Sequence, residues 1–173
     1  VDSDKSKPKA IRMQEAFLKS FIYRNEYFKT DETGKVTWSI PEEKQADGVY
    51  LILDLQKEST GLLEFELEVS EDTEVLIGFG EHLDDLRVRT DVGGRHFTVQ
   101  WEAGPKRDQF VHRFLRLGCR YLQLFFYGSE ATIYHVGLRP VDYPVRAEAQ
   151  FKSCDSLMDK IFAVSKDTLR CSM

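Results

Sequence analysis

The chain has 173 residues, of which 24 are Lys or Arg and 29 are Asp or Glu, for a net charge of −5; aliphatic and aromatic residues make up 42%. This is the length of one domain, or one domain with part of a neighbour, and the apolar share is that of a packed core rather than a disordered or low-complexity chain. The acidic balance argues against a general nucleic-acid surface, and no apolar run exceeds six residues, too few for a membrane-spanning helix.

The first thirty residues read as an N-terminal extension that opens with the polar stretch Val1 to Lys9. Within residues 11 to 28, Phe17, Leu18, Phe21 and Ile22 fit a short helix, whereas Phe21, Tyr23 and Phe28 fit a strand entry.

From residue 31 to 146 the pattern is β. Val49 to Leu55 is almost continuously apolar, as expected of a central strand with both faces covered. Leu63, Phe65, Leu67 and Val69 alternate with Glu64, Glu66 and Glu68, so one face is buried and the other wet. Val75, Ile77 and Phe79 follow a Ser70-Glu71-Asp72 turn. Leu86 to Thr90 and His96 to Trp101 flank a Gly93-Gly94 turn, and Phe110 to Leu117, Arg120 to Tyr127 and Thr132 to Leu138 complete about eight strands. Turn signals are read at Asp47-Gly48, Thr60-Gly61, Gly104-Pro105, Gly118 and Gly128-Ser129. Many short strands at such spacing, with no long helical pattern between them, predict an all-β antiparallel sandwich or jelly roll.

Arg139 to Val145, with Pro140 and Pro144, reads as a linker, because proline biases the residue before it toward extended backbone. Residues 147 to 173 carry the remainder. A helix is expected from Ser156, with Ser156 and Asp159 as a capping pair. Leu157, Met158, Ile161, Phe162, Val164 and Leu169 then form an apolar stripe that must pack on something. Either it lies on the domain's own sheet, or it is the first helix of a following domain. The fragment reading is the expectation.

Chemistry is sparse. Nucleotide-binding loops, nucleophile elbows and HExxH motifs are absent from the sequence, and no cofactor is expected. His82, His96, His112 and His135 are scattered, whereas zinc needs three or four converging ligands, so no metal is expected. Cys119 lies in an apolar run and reads as a core residue; Cys154 and Cys171 stand at opposite ends of the helix, about 25 Å apart, too far to bridge. The richest polar stretch runs from Glu81 through Asp84, Asp85 and Arg87. Its carboxylates could hold calcium or act on a sugar, and equally form a solvated loop. Trp101 beside Glu102 is the best candidate for a sugar-stacking platform, but Phe97, Val99 and Trp101 share one strand face, which favours a core role. Arg120 is expected to be structural, with Glu81 as its leading partner.

Five segments, in order, resemble the β-sandwich domain that precedes the catalytic domain in α-L-rhamnosidases of glycoside hydrolase family 78. They are Thr60 to Phe65; Val75 to Leu83, an apolar strand ending in Glu-x-Leu; Phe114 to Leu122, with Cys119 where an aromatic is usual before Arg120 and Tyr121; the Pro140 to Val145 exit with Phe151 to Asp155; and the helix from Leu157 to Arg170, which looks like the opening helix of an (α/α)6 barrel. The resemblance covers about residues 47 to 173. It implies a non-catalytic accessory domain whose partner is the helical catalytic domain of the same parent chain, an inverting enzyme for terminal α-L-rhamnose. It places the catalytic carboxylates downstream, so none is assigned here; Glu81, Arg120 and Tyr121 are read as structural residues. The alternatives are an independent module that binds rhamnose-containing glycans and a protein-interaction sandwich. The family leans toward a periplasmic or extracellular setting, which three unpaired thiols leave open.

Overall fold

The structure is a computed structural model that describes residues 21–23, 28–41, 48–84, 87–141, 144 and 150–173. Its strands are β1 (Phe21–Tyr23), β2 (Phe28–Thr30), β3 (Val36–Ser39), β4 (Gly48–Val69), β5 (Thr73–Gly80), β6 (Leu83–Asp84), β7 (Arg87–Val88), β8 (Asp91–Val92), β9 (Arg95–His96), β10 (Thr98–Ala103), β11 (Arg107–Tyr127) and β12 (Glu130–Pro140), followed by helix α1 (Ser156–Ser172). Residues 11–20 lie outside the described residues, so the short N-terminal helix expected there is not addressed. Phe21–Tyr23 and Phe28–Thr30 take the strand alternative and pair into the sheet.

Two strands, β4 with 22 residues and β11 with 21, organise the molecule. The pairing runs β10-β5-β11-β4-β12-β3-β2, with β1 added in parallel to the start of β4. The first half of β4 (Val49 to Asp54) pairs with the second half of β11 (Tyr121 to Phe126), which in turn pairs with β5 and so with β10. The second half of β4 pairs with the first half of β11 and with β12, which holds β3 and β2. Each long strand therefore passes from one layer of a sandwich to the other.

The step between layers uses two bulges. On β4, Leu55 to Glu58 face the single residue Arg120, and Gln56 takes a left-handed φ of 69° there. On β11, His112 to Arg113 and Phe114 to Leu115 face the single residue Leu63. Extra residues on one strand sharpen the local twist and bend it, which is what a strand shared by two layers requires.

The turns read from Thr60-Gly61 and Gly118 are not turns. They lie within the long strands and face each other, Thr60 opposite Gly118 and Gly61 opposite Leu117. Likewise Arg139 and Pro140, read as linker, are the last residues of β12 and pair with Leu62 and Gly61. The Gly93-Gly94 turn does form. Both glycines have positive φ, 59° and 76°, as a two-residue hairpin loop between β8 and β9 demands.

The main core lies between the layers. Leu63, Phe65, Leu67 and Val69 of β4 point into it and are buried, as their alternation predicts. Trp38 of β3 stands edge-on to Phe126 of β11 at 4.9 Å, and Phe65 lies 6.0 Å from Trp101, so aromatic contacts join the layers. Val49 to Leu55 is apolar on both faces for a reason: Val49, Leu51 and Leu53 meet this core, while Tyr50 and Ile52 join Leu76 and Phe125 in a second cluster on the opposite face. Outside the second layer, Glu64, Glu66 and Glu68 meet Arg139, Arg107 and Tyr134 across the strands.

Helix α1 is capped one residue earlier than Ser156. Asp155 is the N-cap and its Oδ1 accepts the Leu157 amide at 2.8 Å, while Asp159 accepts the Ser153 amide. Phe151 stacks on Phe162 at 5.0 Å and fixes the entry of the chain. No residue of α1 is buried. Among the described residues, no helix is long and apolar enough to cross a membrane.

Candidate functional site

Where β4 changes layers, its bulge forms one wall of a cleft of about 700 Å³. Lys57, Glu58 and Thr60 supply this wall, Gly118 and Pro140 the floor, and the last turns of α1 the facing wall through Val164, Asp167, Thr168 and Cys171. Glu81, the residue after β5, also lines it. The half-buried Glu58 carboxyl is held above its ordinary value, first by burial and then by the charge of Glu81, with His82 acting the other way. Cys171 Sγ lies 3.7 Å from the Glu58 carbonyl oxygen, a weak donor contact that ties the helix end to the bulge.

The residues singled out in the sequence do not converge here. Glu81 is in the cleft and exposed. Asp84 and Arg87 face each other on the small β6–β7 pair, both exposed, and Asp85 lies outside the described residues. Trp101 is on β10, stacked on Phe110 at 5.2 Å and packed against the main core. It does not line the cleft.

The expected pairing of Arg120 with Glu81 is replaced. Arg120 forms a two-pronged ion pair with Asp54, Nε to Oδ1 at 2.9 Å and Nη2 to Oδ2 at 3.0 Å. The reason is the register: Asp54 is opposite Tyr121, and the bulge after it brings Arg120 alongside. Tyr121 lies under the same guanidinium, its ring centre 5.0 Å away. Neither Arg120 nor Asp54 is a buried charge, their side chains being 42% and 43% exposed.

A second opening, of about 530 Å³, is lined by Thr30, Thr33, Leu53, Asp54 and Tyr134. Its aromatic ring is already covered, with the Arg107 guanidinium 3.8 Å from the Tyr134 centroid and the hydroxyl donating to Glu68 at 2.6 Å. Among the described residues no group of three or more His, Cys, Asp or Glu side chains is placed to hold a metal ion.

Sequence reasoning missed Glu58, Asp54 and Cys171, because each acquires its role from a bulge or a distant contact. It also missed Phe114, which the β11 bulge leaves 97% exposed. Two residues along, Arg116 donates to the Thr60 hydroxyl in the cleft wall at 3.0 Å.

No family model matches the chain, and no curated protein does. Among solved structures, it is similar to a glycoside hydrolase family 78 rhamnosidase of Bacillus sp. GL1, with a TM-score of 0.63 and 24% sequence identity. The match covers 82% of this chain and 14% of that one, so this chain spans a small part of the length of its structural neighbour. The likeness is one of fold: the sandwich is built as part of a family 78 rhamnosidase is built.

Proposed function

We propose that the chain is a β-sandwich accessory domain of a rhamnosidase-like glycoside hydrolase, and that it carries and orients a helical catalytic domain entered through α1. The observation that supports this reading is the helix. Leu157, Met158, Ile161, Val164 and Leu169 are all exposed, Leu157 by 60% and Val164 by 65%. A stripe of this kind on a helix capped by Asp155 is a surface made to be covered. Phe114, 97% exposed on the β11 bulge, adds to the uncovered apolar surface.

In this reading the reaction is carried out elsewhere. Inverting hydrolysis of a glycoside needs a carboxylic acid to protonate the leaving oxygen and a carboxylate to activate water, set about 6.5–9.5 Å apart across the sugar. Those groups belong to the helical domain. The sandwich provides a platform that fixes the start of that domain.

Two measurements test the reading. The 173-residue chain should bind an environment-sensitive hydrophobic dye, and Leu157→Glu with Ile161→Glu should abolish most of that signal without lowering Tm. Dye binding unchanged by the double substitution would sink it. The chain should also fail to hydrolyse an aryl α-L-rhamnoside. Turnover that disappears on Glu81→Gln or Asp84→Asn would place the chemistry in the sandwich instead.

A further inference from the structure

The opening beside Tyr134 is bounded by the edges of two strands. Leu51 to Asp54 of β4 and Ile133 to Val136 of β12 both line it. Side chains alternate between the two faces of a strand, so four consecutive residues border one opening where the backbone edge itself lines it. Among the described residues both edges are unpaired there. β1 accompanies β4 from Gly48 to Tyr50 and stops, and from Leu51 to Asp54 the pairing is with β11 alone. β3 accompanies β12 as far as Ile133, and His135 and Val136 pair with β4 alone.

Burial follows the pairing. Val49 and Tyr50, beside β1, are buried, whereas Leu51, Ile52 and Leu53 on the same strand are half-buried. Leu51 and Leu53 rest on the main core, as do Val36 and Val136, which line the same opening. A sheet edge in water is ordinarily guarded by a charge or a proline. Leu51 to Leu53 carry neither, and the charge of Asp54 is taken up by Arg120. In the antiparallel ladder with β11, two alternating residues of the four turn both N–H and C=O away from β11, to the open edge.

We propose that the β4 edge from Leu51 to Asp54 is a docking site for an extended segment of another polypeptide, which adds a strand beyond the end of β1. Free backbone donors and acceptors along an edge recognise a chain in β conformation, and at about 3.3 Å per residue the edge takes four or five residues. The inward side chains of that segment are aliphatic, because they meet Leu51, Leu53, Val36 and Val136. A charged side chain there would lose its water without gaining a partner. The site belongs to the sandwich and does not rest on the reading of α1.

The test uses the whole 173-residue chain and a blocked peptide of alternating Thr and Val with Lys at both ends. Hydrogen exchange is followed residue by residue by NMR. In the chain alone, two alternating amides between Leu51 and Asp54 should exchange fast and their neighbours, bonded to β11, slowly. Peptide at about 1 mM should slow those two about tenfold or more. The same peptide with N-methylated backbone keeps its side chains but loses its N–H donors, and should bind about tenfold more weakly or not at all. Slow exchange at all four amides in the chain alone would mean that the edge is already covered, and overturns the proposal. Protection that appears when the chain alone is concentrated would make a second copy the occupant, and overturns it too. So does an absence of protection with the peptide, protection only at Tyr134 to Val136, or equal binding of the N-methylated form.

Discussion

Arg120 and Asp54, 66 residues apart, close a two-pronged ion pair across the point where β4 and β11 leave one layer for the other. Asp54 Oδ1 also accepts the amide of Gln56, the left-handed residue of the bulge, at 2.7 Å. One carboxylate therefore fixes both the neighbouring strand and the turn of its own.

The Arg120 guanidinium holds the Asp54 carboxyl below its ordinary value of 3.8. Both groups are in water, so the pair is screened and its contribution is small. Arg120→Ala is expected to lower Tm by no more than a few degrees, far less than loss of a buried partner would cause. The sign is set by the lowered value: the contribution is present above the ordinary carboxyl value and fades as pH falls through the lowered one. Melting of the unmodified chain and Asp54→Asn should therefore differ near neutrality and converge in strong acid. A gap that widens in acid would refute this.

Gly61→Ala tests the crossing itself. A Cβ at this position would fall on the Arg139 backbone, with the carbonyl carbon at 2.8 Å, and Gly61 is itself held between β11 and β12, so the strands would have to move apart. The expected cost is about 1–3 kcal/mol, typical of overpacking. Gly118→Ala is the control, because its Cβ would meet the Thr60 side chain at an ordinary 3.6 Å. Equal losses in the two variants, measured by denaturant unfolding, would show that the close approach of β12 to β4 does not decide the matter.

This pair of glycines also marks how far the sequence can be read. The alternation of Leu63 to Val69 and the two-sided burial of Val49 to Leu55 are visible because they are local and periodic. Gly61 and Gly118 look like turns because a glycine that frees the backbone and a glycine that admits a neighbouring strand have the same local signature. The candidate cleft is less legible still. Glu58 and Cys171 are 113 positions apart, and only the bulge and the helix docking bring them together. Arg120 is legible as structural in type, but its partner depends on a register that no local pattern encodes.

Gln123 looks in the sequence like one stray polar residue in an apolar strand. It is buried, and its Oε1 accepts the Val88 amide at 2.8 Å, so it anchors the β6–β7 hairpin to the outside of the first layer. Gln123→Leu removes the acceptor and leaves a buried N–H without its bond, at an expected cost of about 1–3 kcal/mol. The loss should be local before it is global. Hydrogen exchange at Val88 should accelerate more than at Leu122 or Leu124 on the same strand as the substitution. Uniform acceleration across β11 would mean that Gln123 serves the core instead of the hairpin.

Trp101 separates a structural sandwich from an independent sugar-binding module. Stacking on a sugar needs a free ring face, and here one neighbour, Phe110, lies parallel at 5.2 Å with an interplanar angle of 18°, while Phe65 approaches at 6.0 Å. On β10, Trp101 is opposite Val75, which is fully buried. Truncation therefore opens the side of the core between the layers. Trp101→Ala is expected to cost about 3 kcal/mol, the lower end for a large aromatic because this ring is only partly buried. Calorimetric titration of the unmodified chain with rhamnose and rhamnose-containing oligosaccharides should give no heat of binding at millimolar concentration. The opposite pair of results, normal melting of Trp101→Ala together with a sugar affinity that the substitution abolishes, would make the ring a platform and the chain a binding module in its own right.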